Sequence, residues 1–186
     1  MLQTKRLLLR VWRETDAADL YRYASNPQIG PLAGWAPHTD VEESRQIIRL
    51  FLSEEETYAV VLRQSGHAIG CIDLKPAGRS NLALLPNEAE LGYWLGRPYW
   101  GHGLMPEAAQ ALLRYGFCEL GLERIWCSSL AYNHNSLRVQ QKCGFVHHHE
   151  VSHVYQPLLH AYCDKRYACL TYADWLAGQR TCHAPA

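Results

Sequence analysis

The sequence predicts a single mixed α/β domain over residues 1–175, followed by a C-terminal tail over residues 176–186. Short apolar and β-branched runs, which are typical of strands, alternate along the chain with segments whose apolar residues recur at helical spacing. No linker separates two such sets of elements, and no repeat is visible. A chain of 186 residues is also long enough to bury a core without disulfides or a structural metal.

The first quarter of the chain predicts one strand and two helices. We expect a strand over residues 6–12, a helix that starts after Thr15-Asp16, and a loop over residues 26–38 that is rich in proline and glycine. Thr39 and Glu42 have the spacing of a capping box, which predicts the start of a second helix. Its apolar residues follow at helical spacing: Ile47, Ile48, Phe51 and Leu52.

The middle of the chain reads as a hairpin and a further strand. Residues 57–63 and 68–74 are rich in strand-forming residues and flank Ser65-Gly66, which predicts a turn between two antiparallel strands. Residues 76–88 are a connection, and residues 90–95 form the next strand.

From residue 96 the pattern becomes strand, sharp glycine turn and helix. The helix after Gly103 is expected to carry five apolar residues on one side: Leu104, Ala108, Ala111, Leu112 and Tyr115. A strand over 124–130 and a short helix over 135–142, stopped by Gly144, come next. Two late strands, 145–155 and 162–171, complete the domain.

Composition and charge exclude several classes of protein. Lysine plus arginine and aspartate plus glutamate both total 18, so no net field favours nucleic acid or an anionic membrane. The amino terminus lacks the pattern of a secretory signal and no twenty-residue apolar run occurs, which predicts a cytoplasmic protein without a membrane span. Seven cysteines, an odd number without a Cys-x-x-Cys pair, predict reduced and mostly buried thiols.

Two glycines mark a candidate anion site where a strand gives way to a helix. In the run Trp100-Gly-His-Gly-Leu-Met105, residues without a Cβ let backbone amides approach a ligand, and the helix amino terminus attracts negative charge. A pyrophosphate suits such a place. The same pattern is also typical of an ordinary tight turn, and Asn133 and Ser136 downstream are ordinary helix caps when each is taken alone.

Together these segments resemble the GNAT superfamily of N-acetyltransferases, in particular its RimJ/RimL-like branch. The resemblance covers residues 2–171. It rests on the opening Leu2-Gln-Thr-Lys-Arg-Leu-Leu-Leu-Arg10, on Ala89-Glu-Leu-Gly-Tyr-Trp-Leu95 with Tyr99-Trp-Gly-His-Gly-Leu-Met-Pro-Glu-Ala108, and on Asn133-x-x-Ser136 leading to Gly144-Phe145.

The resemblance implies the fold, the cosubstrate and the residues that hold it. The fold would be a central mixed β-sheet flanked by helices, whose fourth and fifth strands splay apart to admit the pantetheine arm of acetyl-coenzyme A (acetyl-CoA). Trp94 and Leu95 would pair with that arm through their main chain, while Asn133 and Ser136 would face the thioester. The pyrophosphate would be held by the amides of Gly101, His102, Gly103, Leu104 and Met105. One departure is Pro98, which stands where the family's phosphate turn usually begins with Gln or Arg; Arg97 lies next to it.

The resemblance also bears on catalysis. Many family members use a tyrosine four residues before the closing glycine to return a proton to the departing thiolate, and here that residue is Gln140. In the RimL-like branch a serine takes this part, which points to Ser136. For the base, Glu90 and Glu150 are the two expectations, although Glu90 is equally well explained as a solvated or ion-paired strand residue.

Five histidines lie between His147 and His160. On a regular strand His147, His149 and His153 would share one face, which leaves open a zinc site or a histidine base. Three like residues on one strand suit tetrahedral coordination poorly, so no metal is expected. We expect instead an exposed strand that lines the acceptor groove.

The amine acceptor is the least constrained part of the interpretation. The predicted loop over 26–38 and the following helix carry no cluster of carboxylates that would bind a polycation, which favours a peptide amino terminus. A small amine such as a polyamine or an aminoglycoside is the alternative. A catalytically silent acyl-CoA-binding protein and a structural partner subunit also remain open, as do a monomer and a homodimer.

Overall fold

A computed structural model describes residues 1–181 and contains one mixed eight-stranded sheet with six α-helices in that part of the chain. The strands are β1 Leu2–Gln3, β2 Leu7–Arg10, β3 Thr57–Leu62, β4 Ala68–Pro76, β5 Glu88–Leu95, β6 Arg124–Leu130, β7 Val146–Gln156 and β8 Ala161–Thr171. The helices are α1 Ala17–Ala24, α2 Gly30–Ala33, α3 Val41–Ile47, α4 Leu104–Cys118, α5 His134–Cys143 and α6 Tyr172–Thr181.

The strands lie in the order β1-β2-β3-β4-β5-β6-β8-β7. Every neighbouring pair is antiparallel except β5 and β6, which run parallel over a short stretch. The predicted strands and the hairpin of β3 and β4 are therefore confirmed, although β2 is shorter than the predicted 6–12. None of the described helices is long and apolar enough to cross a membrane.

Alternation along the strands divides the core into two parts. The larger part contains Ile72 and Leu91 from the sheet, packed with buried residues of α4 such as Leu104, Ala108 and Leu112, which confirms the predicted apolar side of that helix. The smaller part packs α1 and the segment after α3 on the opposite face of the sheet, around Cys71. Of the six described cysteines, all of them free, three are buried, so the prediction of mostly buried thiols is only half met; Cys182 lies outside the described residues.

The region between α1 and β3 differs from the prediction in two details. The predicted loop over 26–38 contains the short helix α2. The N-cap of α3 is Asp40, one residue later than the predicted Thr39: Asp40 accepts a hydrogen bond from the Glu43 amide, while Glu43 accepts from the Thr39 amide, so the two bonds do not form the predicted capping box. A π-helical turn, Ile48–Leu52, follows α3; it buries Ile48 and leaves Phe51 exposed, which breaks the predicted helical face.

The predicted tail is wrong for residues 176–181, which continue α6. The helix is held by Trp175, whose buried ring lies 5.4 Å from the ring of Phe117 at the end of α4. The remaining predicted tail residues, 182–186, lie outside the described part of the chain.

Strand β7 forms the edge of the sheet, and its irregular register overturns the prediction that three histidines share a face. His147 pairs with Ala168 and His149 with Tyr167, so two steps on β7 match one step on β8. Such a bulge reverses the alternation of side chains. A second irregularity falls between Val151 and Val154, where His153 has a φ of 62°.

Candidate active site

A slot opens where β5 and β6 stop pairing. The parallel pairing covers only Glu88, Ala89 and Glu90 of β5, and beyond Glu90 the two strands separate. A cavity of about 890 Å³ occupies this place and extends to the amino-terminal ends of α4 and α5. These strands are the expected fourth and fifth of the family fold, because β1 is an additional short strand, so the expected splaying is confirmed.

The glycine turn at the amino terminus of α4 borders this cavity. Gly101 and Gly103 have φ angles of 79° and 71°, in the left-handed region that favours glycine, and Gly103 is the N-cap of α4. The amides in the first turn of a helix lack intrahelical partners. Gly103, Leu104 and Met105 line the cavity together with Gly101, whereas His102 does not. The turn therefore has the geometry that a pyrophosphate requires.

The turn is fixed from outside by the amino-terminal segment of the chain. Glu107 in the first turn of α4 accepts hydrogen bonds from Thr4 Oγ1 at 2.6 Å, from the Arg6 amide at 2.8 Å and from Arg6 Nε at 2.6 Å. Arg6 Nη1 also donates to the carbonyl oxygen of His102 at 2.9 Å. Burial disfavours the charged Glu107 carboxylate, but the hydrogen bonds from Thr4 and Arg6 outweigh it and hold its pKa below the ordinary value.

Trp94 and Leu95 lie on β5 at the edge of the slot, and both line the cavity. The carbonyl oxygen of Leu95 already accepts a hydrogen bond from the indole of Trp100 at 2.7 Å. The ring of Trp94 packs edge-on against Trp35, with ring centroids 5.6 Å apart. In the ladder of β4 and β5 the Gly96 amide donates to the Ile69 carbonyl, so the main-chain groups of Trp94, two residues earlier and opposite Cys71, are directed at β4. The amide of Leu95 is the main-chain group directed at the slot.

Ser136 lies in the first turn of α5 within a small polar network. Its amide donates to the capping side chain of Asn133 at 3.2 Å, and its hydroxyl lies 2.9 Å from the phenol oxygen of Tyr93. Gln140, only 4% exposed, donates from Nε2 to Ser136 Oγ at 3.4 Å and to Ser129 Oγ at 3.2 Å. Burial raises the pKa of Tyr93 well above its ordinary value, so the phenol stays protonated.

The two expected bases occupy different places. Glu90 lines the cavity and accepts hydrogen bonds from the hydroxyls of Ser80 and Ser128, both at 2.7 Å. Glu150 lies on the edge strand β7, where it pairs with Arg166 at 3.5 Å, and it does not line the cavity. The structure therefore brings Glu90, but not Glu150, to the slot.

Asp73 on β4 is a cavity residue that the sequence analysis missed. It lies opposite Gly92 of β5, and Lys75 Nζ is 3.6 Å from its Oδ2. Its Oδ1 is buried and makes no hydrogen bond within the described residues. Burial raises the pKa of this carboxyl above its ordinary value, and Lys75 counteracts the effect only in part. The available signal was an aspartate inside the apolar run Ala68-Ile-Gly-Cys-Ile-Asp-Leu74.

The remaining sequence expectations concern cations and histidines. Arg97 hydrogen-bonds the side chain of Gln28 and does not line the cavity, whereas Arg138 and Lys142 of α5 do. Strand β7 contributes Gln156 to the cavity and none of its histidines, and the expectation that these histidines line the acceptor groove stays a prediction. Among residues 1–181 no group of three or more side chains suits a metal ion.

Comparison with known proteins gives a family match over most of the chain. Residues 6–146 match the family model described as the acetyltransferase (GNAT) domain. The chain is 32% identical over 149 residues to the uncharacterized N-acetyltransferase p20 of Bacillus licheniformis. The aligned region covers 77% of this chain and 81% of that protein.

Solved structures show the same fold at lower identity. The ribosomal-protein-S5-alanine acetyltransferase of Vibrio fischeri has a TM-score of 0.72 at 22% identity, covering 93% of this chain and 97% of that one. The spermidine N-acetyltransferase of Vibrio cholerae, in complex with CoA and spermine, has a TM-score of 0.76 at 18% identity, covering 93% and 99%.

Proposed function

Since the chain belongs to the GNAT family of acetyltransferases, we propose that this acetyl-CoA-dependent N-acetyltransferase acts on a singly charged primary amine, such as the amino terminus of a peptide. The proposal includes a cytoplasmic location, where acetyl-CoA is the acyl donor. Its acceptor would enter the cavity from the face of the sheet that carries Asp73 and Glu90.

One observation carries the proposal: the slot beyond Glu90 leads directly to the glycine turn of α4. A pantetheine arm laid between β5 and β6 would bring its pyrophosphate to the amides of residues 101–105. The cations Arg138 and Lys142 line the same cavity and would add charge-assisted contacts to phosphate. The residues present therefore fit acetyl-CoA.

The network around Ser136 supports a role for its hydroxyl in returning a proton to the thiolate. Gln140 Nε2 is a donor to Ser136 Oγ, and Tyr93 can donate to the same oxygen. The Tyr93 phenol also lies 3.2 Å from the Ser136 carbonyl oxygen, so its single proton serves one of these two oxygens; when it is given to Oγ, the serine hydroxyl keeps its own proton for the departing sulfur. Gln140 itself carries no acidic proton, so it orients Ser136 and does not replace the tyrosine that other family members use.

Charge pairing in the cavity supports an acceptor with one positive charge. Two of its carboxylates are matched by cations: Glu54 pairs with Arg79 at 2.8 Å and Asp73 with Lys75 at 3.6 Å. A polyamine or aminoglycoside would need several unmatched carboxylates. The structural neighbours include enzymes named for both a protein and a polyamine acceptor, so the fold favours neither.

The test is a panel of acceptors assayed by release of the coenzyme A thiol. We expect amino-terminal peptides to give a higher kcat/KM than spermidine or an aminoglycoside, and the same peptides with a blocked amino terminus to give no thiol. A higher kcat/KM for a polycation than for every peptide would contradict the proposed acceptor.

A catalytically silent acyl-CoA-binding protein is the second candidate, favoured by Gln140 at the position of the usual tyrosine. Both candidates predict that acetyl-CoA at one hundred times its Kd stabilises the fold by about 2.7 kcal/mol. Only the enzyme also releases thiol in proportion to the acetylated amine. A thermal shift without turnover on the whole panel would favour the silent protein.

A further inference from the structure

We propose that Asp73 is the group that accepts the proton of the acceptor ammonium, so that the amine attacks the thioester in its neutral form. This inference rests on the proposed acetylation of an amine and adds the residue that makes the amine nucleophilic. No motif in the sequence and no resemblance points to Asp73, and its role follows from its place in the sheet.

The position of Asp73 is set by the pairing of β4 with β5. Asp73 lies opposite Gly92 of β5. The last β5 residue that pairs with β6 is Glu90, two residues before Gly92. A Cβ at Gly92 would overlap Asp73 Oδ1, so the carboxylate occupies the space above a residue without a side chain. The carboxylate therefore reaches the edge of the slot at the point where the slot begins.

The two carboxylates near the slot differ in how their oxygens are engaged. Both oxygens of Glu90 accept a hydroxyl hydrogen bond, from Ser80 and Ser128. Asp73 has its Oδ1 covered by the strand, while 16% of the side chain remains exposed and lines the cavity. Since Oδ1 is covered, the edge open to the acceptor is that of Oδ2. Asp73 Oδ2 faces Lys75 Nζ at 3.6 Å, beyond hydrogen-bond distance, so an acceptor ammonium would compete with Lys75 for this oxygen, whereas both oxygens of Glu90 are already held by hydroxyl groups.

The charges that face Asp73 come from its own strand, from β5 and from the cavity wall. Burial raises its pKa, the carboxylate of Glu90 raises it further, and Lys75 lowers it. The thiol of Cys71 lies on the same face of β4, and the paired Glu54 and Arg79 line the same cavity. A carboxylate with a raised pKa is a stronger proton acceptor than an ordinary one at neutral pH.

The step balances without a further reactant. One ammonium proton passes to Asp73, and the freed lone pair of the amine nitrogen forms the C–N bond to the acetyl carbonyl carbon. The C–S bond then breaks and its electron pair stays on sulfur. Ser136 gives its hydroxyl proton to the thiolate in the proposed mechanism, and the second proton that leaves the nitrogen replaces it, so that coenzyme A departs as the thiol. Asp73 finally releases its proton to solvent.

The first experiment is the pH dependence of kcat/KM with an amino-terminal peptide and saturating acetyl-CoA. The wild-type value should rise from low pH and level off below the pKa of the peptide amine. Asp73→Asn should lower kcat/KM by about 10²-fold. The kcat/KM of this variant should keep rising with pH up to about pH 8, where the amine itself loses its proton. Glu123→Gln, on the exposed loop before β6, is the matched control and should keep the wild-type profile. An unchanged profile in Asp73→Asn would overturn the proposal.

A second experiment needs no acceptor, so it separates this proposal from the proposed function. Carbon-13 NMR of the side-chain carboxyl groups should show one aspartate that titrates above the ordinary value of about 3.9 and is lost in Asp73→Asn. Gly92→Ala should return that carboxyl toward the ordinary value, because the added Cβ displaces Oδ1. An Asp73 carboxyl that titrates at or below the ordinary value contradicts the proposal, whichever amine the enzyme uses.

Discussion

In the proposed function Gly103 links the conformation of the glycine turn to acetyl-CoA binding, and its replacement by valine tests that link. Its φ of 71° lies in the left-handed region, which costs a residue with a Cβ about 1–2 kcal/mol and a β-branched residue more. Space is not the obstacle, because the nearest atom to an added Cβ is Arg6 Nη2 at 3.8 Å. The Cβ of Gly103→Val therefore meets no clash, and its strain comes from the backbone conformation.

The expected result is a modest loss of stability and a large loss of acetyl-CoA affinity. For a domain of this size, 1–2 kcal/mol lowers Tm by roughly 2–8 °C. Relaxation of the turn would also redirect at least one amide away from the pyrophosphate, and a hydrogen bond to a charged group contributes about 1.5–3 kcal/mol. That loss corresponds to a Kd increase of roughly 10- to 100-fold.

Gly121 supplies the matched control. It has a φ of 67°, nothing lies within 4 Å of an added Cβ, and it lies in the connection between α4 and β6, away from the cavity. Gly121→Val should lose similar stability and bind acetyl-CoA like the wild type when both are measured by calorimetry and thermal unfolding. If Gly103→Val binds with wild-type affinity, or if Gly121→Val loses as much affinity, the assignment of the phosphate site to this turn is refuted.

Two further predictions concern the polar groups. Ser136→Ala should lower kcat by roughly 10²-fold with little change in acetyl-CoA affinity, and Tyr93→Phe should lower kcat less. Steady-state kinetics measures kcat and calorimetry measures the affinity. An unchanged kcat in Ser136→Ala would remove Ser136 from the mechanism. Asp16, 9% exposed, accepts two hydrogen bonds from Arg10, so Asp16→Asn should cost about 3–5 kcal/mol in urea unfolding. Burial opposes ionisation of Asp16, but the hydrogen bonds from Arg10 outweigh burial and lower the pKa of Asp16. Its contribution to the free energy of unfolding is therefore full above the unfolded pKa of about 3.9 and is lost as pH falls through the lower pKa of the folded state. If the free energy of unfolding of the wild type does not decrease relative to that of Asp16→Asn in this acid range, the stabilising role of the Asp16–Arg10 pair is contradicted.

The elements that the sequence predicted well are those whose signal is local. The apolar runs of β3 to β6 and the helical spacing in α4 depend on neighbouring residues, and the glycine turn could be located because positive φ angles favour glycine. The family resemblance then gave the mixed sheet and the place of the slot.

The parts that were missed depend on pairing between distant segments. Asp73 becomes a slot residue only because the register of β4 against β5 sets it opposite Gly92. Tyr93 matters because α5 brings Ser136 to its phenol. The reversed face of His149 follows from a bulge, which strand periodicity does not reveal.

The end of the chain was misassigned for a related reason. Residues 176–181 carry little apolar periodicity of their own, and the helix that contains them is held by Trp175 against Phe117. A sequence pattern cannot show a contact between residues nearly sixty positions apart.

The hydrogen bonds of Glu107 connect the first residues of the chain to the glycine turn, which is the proposed pyrophosphate site. Strand β1 has two residues and lies at the edge of the sheet, where local opening is least costly. Each opening that separates Thr4 and Arg6 from Glu107 would also release the carbonyl of His102, which belongs to the glycine turn. A fusion tag or a short deletion at the amino terminus would then change the occupancy of a site that lies a hundred residues further along the chain.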